Sequence, residues 1–95
     1  MVALVREADA VFMQKNYSKA ITLYEKIIAV DTMDADYARY QKSILLGLLG
    51  KQAEKIVLLQ TLVAKRPPSA YANFARYEAA LSYMEIDKYP QALSY

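Results

Sequence analysis

Apolar positions recur at three- and four-residue intervals along most of the chain, and short polar clusters interrupt them at regular distances. Leu4, Ala8, Val11 and Phe12 follow helical spacing and predict a first helix over about 2–14. Asn16 marks a turn. Tyr17, Ala20, Ile21, Tyr24, Ile27 and Ile28 then share one face of a second helix, with Lys19, Glu25 and Lys26 outside. So short a connection makes the two helices antiparallel neighbours.

The cluster Asp31-Thr32-Met33-Asp34-Ala35-Asp36 breaks the pattern, and Asp34 is the expected N-cap of a third helix to about residue 49, its carboxylate accepting from the first unpaired amides. That helix carries two apolar stripes, Tyr37, Tyr40, Ile44 and Leu48 on one side and Ala38, Leu45, Leu46 and Leu49 on the other. Both are expected to be buried, as on a helix between two neighbours. Gly50 supplies a left-handed stop. A fourth helix spans about 52–65 with Ile56, Val57, Leu58, Leu59, Leu62 and Val63, ended by Pro67-Pro68. Ser69 is the expected cap of a fifth helix over about 70–86. Its small residues Ala72, Ala75, Ala79 and Ala80 allow close packing, whereas Phe74, Tyr77, Leu81 and Met84 are large. A short sixth helix begins near Tyr89 and runs to Tyr95, leaning on its neighbours.

The turn-and-entry stretch Asn16-Tyr17-Ser18-Lys19-Ala20 has echoes at Lys51-Gln52-Ala53-Glu54-Lys55 and at Lys88-Tyr89-Pro90-Gln91-Ala92. A spacing of about 35 to 37 residues indicates a helical repeat. The expected fold is therefore all-α, one domain over 1–95, with repeats at about 1–34 and 35–68 and a partial one at 69–95.

Composition narrows the chemistry. The chain is 56% hydrophobic and 23% charged, which is globular, and two glycines and three prolines leave little room for β-turns. It contains no histidine and no cysteine, so the usual neutral-pH base, thiol nucleophiles and the commonest transition-metal ligands are absent. Its serines lack a histidine base, no glutamate pair sits in an apolar pocket, and no enzyme activity is expected. Asp31, Asp34 and Asp36 form the one carboxylate cluster that invites a metal, but a calcium loop needs a central glycine and a glutamate at its twelfth place, where Lys42 stands. They read as loop and capping residues; no metal or cofactor is expected. A formal charge of +2 and the lack of a basic stripe repeating from unit to unit argue against nucleic acid, and Lys65-Arg66 reads as a solvated helix end. Arg6, Glu7 and Asp9 interrupt the first apolar run too early for a signal peptide. The run Ile44 to Gly50 is far short of the roughly 20 residues a membrane helix needs.

Ala20-x3-Tyr24, the Asn-Tyr-x-x-Ala entry before it and the small residue Ala8 resemble the tetratricopeptide repeat, a helix-turn-helix unit. In the second copy Ser43, Leu59 and Pro67 take the small, aromatic and closing positions. Lys55 and Gln52 depart from the expected alanine and tyrosine. Ala80, Tyr83, Tyr89 and Ala92 carry the third. The resemblance implies a short right-handed solenoid. Within it, Pro67-Pro68-Ser69-Ala70-Tyr71-Ala72 is similar to helix openings of bacterial cell-envelope repeat proteins, which implies a periplasmic setting; otherwise the setting is cytoplasmic.

The resemblance also implies a concave partner-binding face on the first helix of each repeat. Carried over, it comprises Val5, Asp9, Phe12 and Met13, then Tyr37, Tyr40, Gln41, Ile44 and Leu48, then Phe74, Tyr77, Glu78, Leu81 and Met84. These would hold a peptide or helix of another protein with aromatic anchors, unless they are core or covered by further repeats. A family variant clamps peptide carboxylates with lysines and asparagines. Val5, Asp9, Tyr40 and Ile44 stand at those positions, so apolar contacts are expected to dominate. The alternative is an assembly element that dimerises or stacks on further repeats. Lys55 is expected to snorkel, its stem on the core and its ammonium in water, with a buried carboxylate pair as the other option.

Overall fold

A computed structural model describes residues 2–30, 34–65 and 69–85. It is all-α: α1 (Val2–Met13), α2 (Tyr17–Ala29), α3 (Ala35–Leu48), α4 (Gln52–Ala64) and α5 (Ala72–Glu85). Each packs on the next in chain order. The molecule measures 41 × 31 × 16 Å, the short dimension being that of two helix layers. The expected sixth helix, Tyr89 and Ala92, Ile86, Asp31 and Arg66-Pro67-Pro68 lie outside the described residues.

The repeat is visible in the backbone. After α1, the Asn16 amide donates to the Val11 carbonyl at 3.2 Å and the Lys15 amide to the Phe12 carbonyl at 2.8 Å. After α3, Lys51 donates to Leu46 at 2.8 Å and Gly50 to Gly47 at 3.0 Å. Both are Schellman turns, and their partners recur about 35 positions apart. The residue at the left-handed position is Gly50 in the second turn (φ 80°) and Lys15 in the first (φ 65°). A side chain there is strained by roughly 1–2 kcal/mol. Lys15→Gly is therefore expected to raise stability by about 1 kcal/mol in chemical denaturation, while Gly50→Ala lowers it by a similar amount.

The side chains follow the same register. Ala8 and Ser43 are fully buried at the small position of α1 and α3, and Tyr24 and Leu59 at the large position of α2 and α4. Asn16 caps α2, its side chain accepting from the Lys19 amide, whereas Lys51, in a similar backbone conformation, has no oxygen to offer. Asp34 does not cap α3 with its carboxylate as expected. Its backbone is helical (φ −88°, ψ −2°) rather than extended, which aims the side chain away from the first-turn amides. Ser69 acts one turn early, its hydroxyl accepting from the Tyr71 amide and its carbonyl from that of Ala72, so α5 starts two residues later than its periodicity suggests.

The core has two parts. Ala8, Val11, Ala20, Leu23, Tyr24, Ile27, Ala38 and Leu45 form one between α1, α2 and α3. Leu59, Leu62, Ala75 and Ala79 form the other between α4 and α5, with Tyr40 of α3 against it. Ala72, Ala75 and Ala79 of α5 are buried as expected, joined by Ser82, whose hydroxyl donates to the Glu78 carbonyl at 2.9 Å, whereas Ala80 is only half-buried. On α4 Ile56, Leu59 and Leu62, with Lys55, are buried and Val63 packs against the second core, while Leu58 is half-buried and Val57 exposed. Leu48 and Leu49 are exposed too, because α3 stops there before the Gly50 turn; the expected burial of both stripes fails at that end.

Lys55 does not snorkel. It is 6% exposed and its ammonium lies 3.1 Å from the Glu78 carboxylate of α5. Room for it comes from Gly47: a Cβ there would stand 2.9 Å from Lys55 Cδ and 3.1 Å from Nζ. A glycine inside a helix costs about 1 kcal/mol relative to alanine, and here the missing methyl is the seat of a buried cation.

Candidate functional site

α3 forms the floor of two shallow depressions. The first, about 320 Å³, is lined by Asp9, Phe12 and Met13 of α1 and by Tyr37 and Gln41 of α3. The second, about 260 Å³, is lined by Ile44, Gly47 and Leu48 of α3, Gln52 and Lys55 of α4, and Glu78 of α5. Gln41 and Ile44 are three residues apart on one helix face, so the depressions follow one another along α3. Eight of the fourteen residues assigned to the concave face from sequence line them.

Asp9 holds the first depression together. Its carboxylate accepts from the Tyr24 phenol of α2, and the Tyr37 phenol of α3 sits astride it, 2.9 Å from Oδ1 and 3.0 Å from Oδ2. Gln41 Nε2 donates to the Tyr37 oxygen at 3.2 Å. Three helices are thus tied through one half-buried anion. Burial first, and then the hydrogen bond to Asp9 and its charge, push the Tyr37 phenol up to about 12 and hold Tyr24 further above its ordinary value. Burial and the Glu78 charge also raise Tyr40.

These shifts fix the sign of a pH effect. The folded protein binds these phenolic protons more tightly than the unfolded chain, so the contribution of Tyr37 is complete below pH about 10 and is lost as the pH rises from about 10 to about 12. Urea midpoints measured across that window are expected to fall, and Tyr37→Phe is expected to flatten the decline. In the first turn of α3, beside Tyr37 in the chain, burial works to raise Asp36, but hydrogen bonds from Lys65, Ser69 and Arg39 and the Lys65 charge hold it below the usual carboxylate range. Arg39 Nη1 is at 2.9 Å and Lys65 Nζ at 2.8 Å. This carboxylate is committed to cations of its own chain from within the first turn of α3, not from the loop or cap position expected of it.

The remaining concave-face residues divide. Val5 packs against the first core. Tyr40 stacks on Tyr71 with ring centroids 5.8 Å apart, and Phe74 lies 6.1 Å from Tyr40 and 6.4 Å from Tyr71. Tyr37 is 6.1 Å from Tyr71, so aromatic contact is continuous from α2 to α5. Met13, Leu48, Phe74, Tyr77 and Met84 are exposed, whereas Leu81 is half-buried; Tyr77, Leu81 and Met84 line neither depression. Tyr71 stands outside the groove residues that the sequence predicts. Its signal is present, since Tyr71, Phe74 and Glu78 share a helical face if α5 is extended back by one residue.

Two further depressions lie between α3 and α4, lined respectively by Arg39, Thr61, Leu62, Ala64 and Lys65 and by Lys42, Leu46, Ala53, Glu54, Val57, Leu58 and Thr61. Lys42 reaches Glu25 of α2 at 3.2 Å. Among the described residues no helix is long and apolar enough to cross a membrane. No protein-family model, curated protein or solved structure matches the chain.

Proposed function

We propose that this chain is a non-enzymatic protein-interaction module of the tetratricopeptide type, a short right-handed solenoid that holds an extended peptide or a helix of a partner along α3, between α1 and α5. The observation that carries this reading is the pair of consecutive depressions on α3, flanked by exposed Met13 and Leu48. Exposed apolar side chains beside concave surface are what a partner's side chains can cover, and a few such anchors supply most of the binding energy. The aromatic contacts of Tyr37, Tyr40, Tyr71 and Phe74 support it by keeping the floor stiff, so little ordering cost falls on binding.

Panning a displayed-peptide library on the protein tests it. A selected peptide is expected to lose about tenfold or more in affinity on Met13→Lys or Leu48→Ser, with helicity unchanged, since both side chains are exposed. Selected peptides indifferent to both substitutions would overturn it. A second reading, assembly through the α3–α4 side, is favoured by exposed Val57 beside the depression that Leu46 and Leu58 line. Sedimentation separates the two: a monomer at high concentration removes the assembly reading.

A further inference from the structure

Among the described residues, ion pairs join Arg39 and Lys65 to Asp36, Lys42 to Glu25 and Lys55 to Glu78. Asp9 belongs to none of them. Arg6, one turn earlier on α1, does not reach it, and its hydrogen-bond donors are two neutral phenols. A half-buried anion with neutral donors only is an incomplete arrangement: partial desolvation strengthens its field, and no cation among the described residues answers it.

What surrounds Asp9 completes the picture. Asp9 lines the first depression together with Phe12, Met13, Tyr37 and Gln41. Phe12 is held edge-on by Tyr17, centroids 6.0 Å apart, which fixes its ring in place. Gln41, committed through Nε2 to Tyr37, has a carbonyl oxygen left to accept. Anionic acceptors beside aromatic faces are the complement of an ammonium or guanidinium group, attracted by charge and by the ring quadrupole together. At about 320 Å³ the depression is at the small end for a ligand site and suits one long side chain.

We infer that the Asp9–Tyr37–Gln41 depression is a seat for one cationic side chain, lysine or arginine, of the bound partner. The inference rests on the peptide-groove reading and specifies it: the partner segment places a basic residue between α1 and α3. The charge of the seat is opposite to that of a clamp for carboxylates.

The test is an NMR titration of the intact chain with Nα-acetyl-lysine amide, its arginine counterpart and its norleucine counterpart. The two cations are expected to give saturable shifts confined to the Asp9, Phe12, Met13 and Gln41 amides, and norleucine none there. Asp9→Asn keeps an oxygen to accept from the phenols and is expected to weaken the cations by about tenfold or more while the protein stays folded. Should that variant unfold, Phe12→Leu, which keeps apolar packing and removes the ring, is expected to weaken them as well. Norleucine shifts equal to those of the cations, or cation shifts scattered over the surface or absent from these residues, would overturn the seat. If such a failure accompanies selected peptides that still depend on Met13 and Leu48, the groove stands and only its charge preference falls. If those peptides are indifferent as well, both readings fall.

Discussion

Tyr24→Ala is expected to cost about 4 kcal/mol, the middle of the range for emptying a buried aromatic site. Its ring is fully buried at the centre of the first core, 6.4 Å from the Tyr37 ring. The substitution removes this volume and also withdraws one of the two phenols from Asp9. Domains of this size have only about 5–15 kcal/mol in total, so such a variant is expected to be largely unfolded near its former midpoint. Tyr24→Phe separates the contributions. It keeps the ring, loses only the hydrogen bond to a charged acceptor, and is expected to cost about 1.5–3 kcal/mol in urea unfolding. A cost for Tyr24→Phe below about 0.5 kcal/mol would show that the carboxylate draws little from α2.

Glu78→Ala is expected to be nearly as damaging, at about 3 kcal/mol, because it strands the Lys55 ammonium where water has little access. The reverse change behaves differently. Lys55→Met replaces the cation by an apolar stem of similar length, leaves the more accessible Glu78 to be solvated, and is expected to be neutral or mildly stabilising. Because Gly47 exists to admit the lysine, Gly47→Ala is expected to be tolerated better in the Lys55→Met background than alone. Thermal and urea unfolding of the four combinations measures that coupling, and strict additivity would refute the seat described for Lys55.

The helices were legible in the sequence because their evidence is local. Periodicity and the Gly50 stop place the ends of the first four within a residue or so. The α5 start was misplaced because Ser69 captured the Tyr71 amide before the helix began. The site was legible in outline only. Assigning residues to first helices found eight of those that line the depressions and missed Gly47, Gln52 and Lys55, because spacing does not show which side chains meet across helices. Asp9 finds its partners 15 and 28 residues away, and no local pattern links a carboxylate on α1 to phenols on α2 and α3. The Lys55 ion pair is invisible in the sequence for the same reason. Its carboxylate partner lies 23 residues on, and the glycine that admits it looked like one more member of an apolar run.

The division of the core has a consequence for how the molecule breathes. The apolar clusters meet at α3, which gives Ala38 and Leu45 to one and Tyr40 to the other. Fraying of α1 leaves the second cluster standing, and fraying of α5 leaves the first. Amide hydrogens in the middle of α3 escape to solvent only when both give way, so they should be the slowest in the chain to exchange for deuterium. The floor on which a partner would rest is then the last part of the fold to open.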